Sequence, residues 1–153
     1  AHFARLVDKD KAQELRFQDI RRQLQTIASQ ARLIKRRMPR AFAEQRKRLR
    51  QRLQELLGSG AGASSSQLEQ AAALAKEADI NEELVRLESH LGYMRQALAK
   101  GQLVGKRLDF IAQELMRETN TMGAKVNDPD AAQHVVEIKG CIEKIREQVQ
   151  NLE

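Results

Sequence analysis

The chain has 153 residues and a net charge of +6 at neutral pH, with two Pro, no Trp, a single Cys and only 3% aromatic residues. That length holds one helical domain, or one domain with an extension, and the wealth of Leu, Ala, Gln, Arg and Glu predicts an all-α fold. One cysteine excludes an internal disulfide framework, and no run reaches the roughly 20 apolar residues of a membrane span or forms a signal-peptide pattern, so a soluble cytoplasmic protein is expected.

The first residues, Ala1-His2-Phe3, read as the middle of a longer polypeptide or as the product of initiator removal. Phe17, Ile20, Leu24, Ile27, Ala31, Ile34 and Met38 then recur at alternating spacings of three and four, the a/d seam of a long helix packed along another. Pro39 lacks a backbone N–H, so the spacing predicts that this helix ends or bends sharply there and that Arg40 to Leu57 returns beside it. Residues 1–57 would form a long antiparallel hairpin. Between Arg32 and Arg52 stand ten Lys or Arg against one acid, Glu44, a local charge of +9 that leaves the rest of the chain at −3. Such clustering at the hairpin tip, with Arg46, Arg48, Arg50 and Arg52 in alternation, fits a surface for RNA or DNA, although a solvated Arg-rich helix pair has the same composition. A membrane surface fits less well, because Phe42, Leu49, Leu53 and Leu56 make a narrow core stripe.

"GSGAGASSS", residues 58–66, reads as a flexible linker, and residues 67–153 as a small C-terminal helical bundle. Gln67 to Asp79 is an Ala-rich helix. The next carries Ile80, Leu84, Leu87, Leu91, Met94 and Leu98 on one stripe and stops at Gly101. A helix from Gly105 presents Leu108, Ile111, Leu115 and Met122. "NDPD", Asn127 to Asp130, makes a turn, and a last helix buries Val135, Ile138, Ile142, Ile145, Val149 and Leu152.

Two polar faces stand beside these stripes. Glu83, Arg86 and His90 share one sector, with Glu82 and Tyr93 next to them. A carboxylate, a guanidinium and an imidazole on one rigid face can hold a phosphate and move a proton, yet the same spacing also makes an ordinary i, i+3 ion pair with a histidine nearby. On the Gly105 helix, Glu114 and Glu118 are like charges one turn apart, which costs helix stability but offers two oxygen ligands to a divalent cation. Isolated His2, His134 and Cys141 offer no zinc spacing, and no phosphate-binding glycine loop or Ser-His-Asp arrangement occurs.

From Asp79 onward, "DINEELVRLESHL", "VGKRLDFIAQELMRETNTMGAK" and "VVEIKGCIEKIREQVQNLE" closely resemble the C-terminal domain of the YicC family of bacterial proteins, and "RKRLRQRL" after Pro39 is more loosely similar to the family's middle region. The resemblance implies a cytoplasmic endoribonuclease dependent on Mn²⁺ or Mg²⁺, cleaving single-stranded RNA enclosed by a ring-like homo-oligomer, a hexamer, and carrying a further N-terminal domain absent from this chain. A non-catalytic helical module for RNA binding or oligomerisation is the competing expectation. Glu82, Glu83, Arg86 and His90 match one family run; Arg107, Asp109, Gln113, Glu114, Arg117, Glu118, Asn120, Thr121 and Lys125 match another. By resemblance, Glu82, Glu83, Asp109, Glu114 and Glu118 bind metal, and Glu83, His90, Glu114 and Glu118 act in catalysis. Arg86, Arg107, Arg117, Asn120 and Lys125 contact RNA. The chain departs from the family at "KDKAQ", Lys9 to Gln13, where an acid and a glycine of a family motif are missing.

Overall fold

A computed structural model describes residues 2–57, 80–101 and 105–152. It is helical throughout, as composition implies: α1 spans His2–Leu57, α2 Asn81–Lys100, α3 Gly105–Lys125 and α4 Pro129–Gln150. The expected linker at 58–66 and the Ala-rich segment at 67–79 lie outside the described residues.

Local chemistry sets several of the helix ends. Gly101 adopts φ +62°, the left-handed conformation that only glycine takes without cost, and its N–H reaches the Leu98 carbonyl to close α2. The Asp128 side chain accepts from the Ala131 N–H and Pro129 supplies the first turn, so the predicted turn becomes the N-cap of α4.

The structure corrects the expected turn at Pro39, because α1 runs straight on through this residue as one helix of 56 residues. An interior proline forfeits one backbone hydrogen bond and crowds the preceding turn, at a cost of about 3 kcal/mol. Tertiary packing outweighs that cost here. Ile34, Met38 and Ala41 on both sides of Pro39 are buried in one unbroken seam, whereas Pro39 itself faces solvent, where water can satisfy the carbonyl it leaves unpaired. The antiparallel partner of the Phe17–Met38 seam is therefore α4 rather than residues 40–57.

Cross-links fix the direction of packing. Arg16 Nη1 donates to the Asn151 carbonyl at 2.7 Å, Gln30 Oε1 lies 2.6 Å from His134 Nδ1, and Arg37 binds Asp128 at 2.9 Å, so α1 and α4 are antiparallel. Glu83 with Lys125 and Arg86 with Glu118 show the same for α2 and α3. A short connection at 126–128 makes α3 and α4 antiparallel neighbours, and α2 closes the ring by touching α1. The four described helices form an up-down-up-down bundle around one continuous core that includes Ile20, Leu24 and Ile27 of α1, Leu87 and Met94 of α2, Leu115 of α3 and Ile142 of α4. At 1.5 Å per residue α1 is about 84 Å long, against about 30 Å for each of the others, so it overhangs both ends of the bundle.

Candidate functional site

The polar residues singled out on α2 and α3 meet along one groove between these helices. Antiparallel packing sets them out in rungs. At the first rung Lys125 Nζ donates to Glu83 Oε1 at 2.7 Å, and the Glu83 side chain is only 2% exposed. Burial pushes the Glu83 carboxyl up. The hydrogen bond from Lys125, with the charges of Lys125 and Arg86, outweighs this and holds it below the usual carboxylate range. The same bond raises the Lys125 ammonium. The second rung is Arg86, whose Nε donates to Glu118 Oε2 at 3.2 Å while its Nη2 lies 3.5 Å from Glu83 Oε1 and 3.6 Å from Glu82 Oε2.

At the third rung His90 of α2 meets Glu114 and Glu118 of α3, each offering a donor atom within 4.8 Å of the others. The one-turn spacing that made Glu114 and Glu118 unfavourable neighbours along α3 brings both to the same imidazole. Arg117 Nη1 stands 4.0 Å from Glu114 Oε2 at the rim. Tyr93 packs on His90 with ring centroids 6.1 Å apart.

The other expected metal-binding residues lie apart from this group. Glu82 is exposed and, among the described residues, pairs with Arg86. Asp109 accepts a hydrogen bond from Gln113 at 2.9 Å along its own helix. Glu83 is occupied by Lys125 and Arg86, although its Oε2 is buried with no hydrogen-bond partner among the described residues. Arg107 is exposed near the start of α3. Asn120 is exposed too, two residues from Glu118 and so nearly on the opposite side of the helix. Thr121 donates to the Arg117 carbonyl, an intrahelical bond.

The basic cluster runs from the part of α1 packed in the bundle onto its C-terminal overhang, beside the α3–α4 connection. Two of its charges serve the fold. Arg37 makes a two-pronged bond to Asp128, at 3.0 and 2.9 Å, and Arg40 pairs with Glu44 at 3.4 Å. The hydrogen bond from Arg37 holds the Asp128 carboxyl below its ordinary range against the opposing effect of burial. Sequence reasoning missed this latch. The turn at Asn127 to Asp130 is written in the sequence, but nothing in the chain names the guanidinium 91 residues away. Arg46, Arg48, Arg50 and Arg52 are exposed and make no ion pair among the described residues. Arg48 and Arg52 line a recess of about 570 Å³ with Gln45, Glu55, Asn127 and Pro129, and helical spacing sends Arg46 and Arg50 to another side.

Fold and site together define an all-helical bundle with a mixed carboxylate–imidazole group in one groove and a cationic extension at one end. Residues 34–153 match the family described as "Endoribonuclease YicC-like, C-terminal", and the chain belongs to that family. It is 41% identical over 109 residues to the "Probable endoribonuclease YicC" of Clostridioides difficile (strain 630), covering 71% of this chain and 37% of that protein. It is 38% identical over 135 residues to the protein of the same description from Haemophilus influenzae, covering 88% of this chain and 46% of that one. The matched part thus spans less than half the length of either relative.

Proposed function

We propose that this chain is the RNA-contacting and catalytic part of a metal-dependent endoribonuclease acting on single-stranded RNA. The observation that carries the reading is the convergence of His90, Glu114 and Glu118 from two helices. The residues fit a divalent cation. Two carboxylates suit Mg²⁺ or Mn²⁺, and among the described residues the bond from Arg86 engages only one oxygen of Glu118. Glu114 and Glu118 would hold the ion, which when bound supplies charge neutralisation at phosphate and activation of a nucleophile. Arg86 and Arg117 flank the group and bind phosphate oxygens. His90 moves a proton at its imidazole, the side chain best able to do so near neutral pH.

Glu83 and Lys125, paired in the bundle's interior, hold α2 and α3 in the register that builds the group. Arg46, Arg48, Arg50 and Arg52 steer the strand toward the groove and Arg107 adds a cationic contact along it, whereas Asn120 lies on another side of α3 and Lys125 is taken up by Glu83. Assembly into a homo-oligomer, a hexamer as the resemblance implies, belongs to the same reading. The exposed apolar Phe3, Leu6 and Val7 on the N-terminal overhang of α1 offer surface for it. A cytoplasmic setting, as the resemblance implies, belongs to the same reading. Among the described residues no helix is long and apolar enough to cross a membrane. The second reading, a non-catalytic module for RNA binding or oligomerisation, draws support from Arg86, whose contacts to Glu82, Glu83 and Glu118 occupy part of the face with internal ion pairs.

The test is turnover of a fluorescent single-stranded RNA with Mn²⁺ by the complete protein. His90→Ala and Glu114→Gln are expected to lower cleavage by orders of magnitude while melting near wild type. Near wild-type turnover in both variants overturns the catalytic assignment. RNA binding without any Mn²⁺-dependent cleavage selects the second reading.

A further inference from the structure

The rungs of the α2–α3 groove continue past the carboxylate–imidazole group. Glu83 meets Lys125, Arg86 meets Glu118 and His90 meets Glu114, so the same register sets Tyr93 of α2 and Phe110 of α3 at the next level, on opposite banks. Tyr93 follows His90 by three residues and Phe110 precedes Glu114 by four, which keeps both on the same outward side as the group they adjoin. Neither ring is in the core. Tyr93 is 50% exposed and Phe110 62% exposed. The chain contains only one Tyr and four Phe, and two of these five rings stand solvent-facing at a single level of one groove. A lone exposed apolar residue is ordinary surface. Two exposed aromatics at one level, next to a proposed phosphate-binding group and flanked by the exposed cations Arg107 and Arg117, combine the two elements that single-stranded nucleic acid requires: π faces for the bases and positive charge for the backbone.

We propose that Tyr93 and Phe110 form a base-stacking platform that seats an unpaired nucleobase of the RNA strand next to the His90–Glu114–Glu118 group. The proposal rests on reading this groove as the RNA site, and it supplies what that reading lacks, a reason for choosing single strands. In a duplex the bases are already stacked on one another and cannot splay onto side chains, so the platform rejects paired RNA without reading sequence. The Tyr93 ring also leans on His90, so a seated base fixes the rim of the site where the proton is moved.

The experiment is binding of this chain to a single-stranded RNA carrying 2-aminopurine, whose fluorescence is quenched on stacking. Wild type is expected to quench it. Tyr93→Ala with Phe110→Ala is expected to abolish the quench and weaken binding about tenfold, the order found for loss of base–aromatic stacking, whereas Tyr93→Phe and Phe110→Tyr retain both. An RNA with abasic positions should bind wild type as weakly as the normal RNA binds the double variant. Glu114→Gln should keep the quench while losing cleavage, so failure of the nuclease reading leaves this signal standing. An unchanged quench and affinity in the double alanine variant overturns the platform, as does an equal loss for duplex RNA. A changed mass in sedimentation with unchanged RNA affinity also overturns it, because the rings would then cover a protein contact.

Discussion

Dividing the groove into a structural end and a chemical end makes a quantitative demand on two glutamates that look equivalent in the sequence. Glu83 is buried and receives Lys125 at 2.7 Å, whereas Glu114 is half-buried with only a 4.0 Å contact to Arg117. Glu83→Gln keeps the shape and an acceptor for Lys125 but turns a charge-assisted hydrogen bond into a neutral one. Charged hydrogen bonds contribute roughly 1.5–3 kcal/mol and neutral ones about 1, and the amide also escapes part of the desolvation that burial imposes on a carboxylate. The net loss is about 1 kcal/mol, equivalent to roughly 3–5 °C of melting temperature for a domain of this size. Glu114→Gln should stay within about ±0.5 kcal/mol, as surface changes do. The pH dependence has a definite sign. The folded Glu83 carboxyl lies below its ordinary value, so its contribution is present at neutral pH and is lost as acid titrates it through that lowered value. The gap between wild type and Glu83→Gln should therefore be full at pH 7 and close below about pH 4, the range in which unfolded glutamate takes up its proton. Lys125→Met should destabilise more than Glu83→Gln, because it strands the buried carboxylate with Arg86 alone. The assay is thermal melting of the four proteins across pH. A neutral Glu83→Gln beside a destabilising Glu114→Gln, or a gap that widens in acid, would refute the division.

Replacing Arg46, Arg48, Arg50 and Arg52 with Glu should weaken RNA binding across sequences and flatten its dependence on salt, which titrations at several ionic strengths measure. Restoring only Arg48 and Arg52, the pair lining the recess, should recover more affinity than restoring Arg46 and Arg50. Asp128→Ala removes both the cap of α4 and the acceptor of Arg37 and should cost about 2 kcal/mol in denaturant unfolding, whereas Asp128→Asn keeps an acceptor for Ala131 and should cost less. Calorimetric titration with Mn²⁺ should show binding that Glu114→Gln with Glu118→Gln abolishes and Asp109→Asn leaves intact.

The parts of the fold that were legible in the sequence are those decided within a few turns. The seam from Phe17 to Met38, the stripes of α2, α3 and α4, the stop at Gly101 and the turn before Pro129 each follow from the side chains at hand. Pro39 was misread because its penalty is local while the packing that overrides it comes from α4, more than 90 residues away. The overriding signal was nevertheless present, since Ala41 continues the three-four spacing beyond the proline. For the candidate site, helical spacing set Glu83, Arg86 and His90 on one polar face and Glu114 and Glu118 on another, but did not name their partners. Glu82, Glu83, Glu114 and Glu118 are indistinguishable as carboxylates on polar helix faces, and only the register between α2 and α3 sends Lys125 to Glu83 and His90 to Glu114 and Glu118. That register is itself set by the apolar stripes, because sliding α3 along α2 by one turn would move Leu115 and Met122 out of their places in the core. The like-charge pair on α3 is thus held in place by core packing on the adjacent face and by Arg86 across the groove, which together allow two carboxylates to converge where helix propensity alone would separate them.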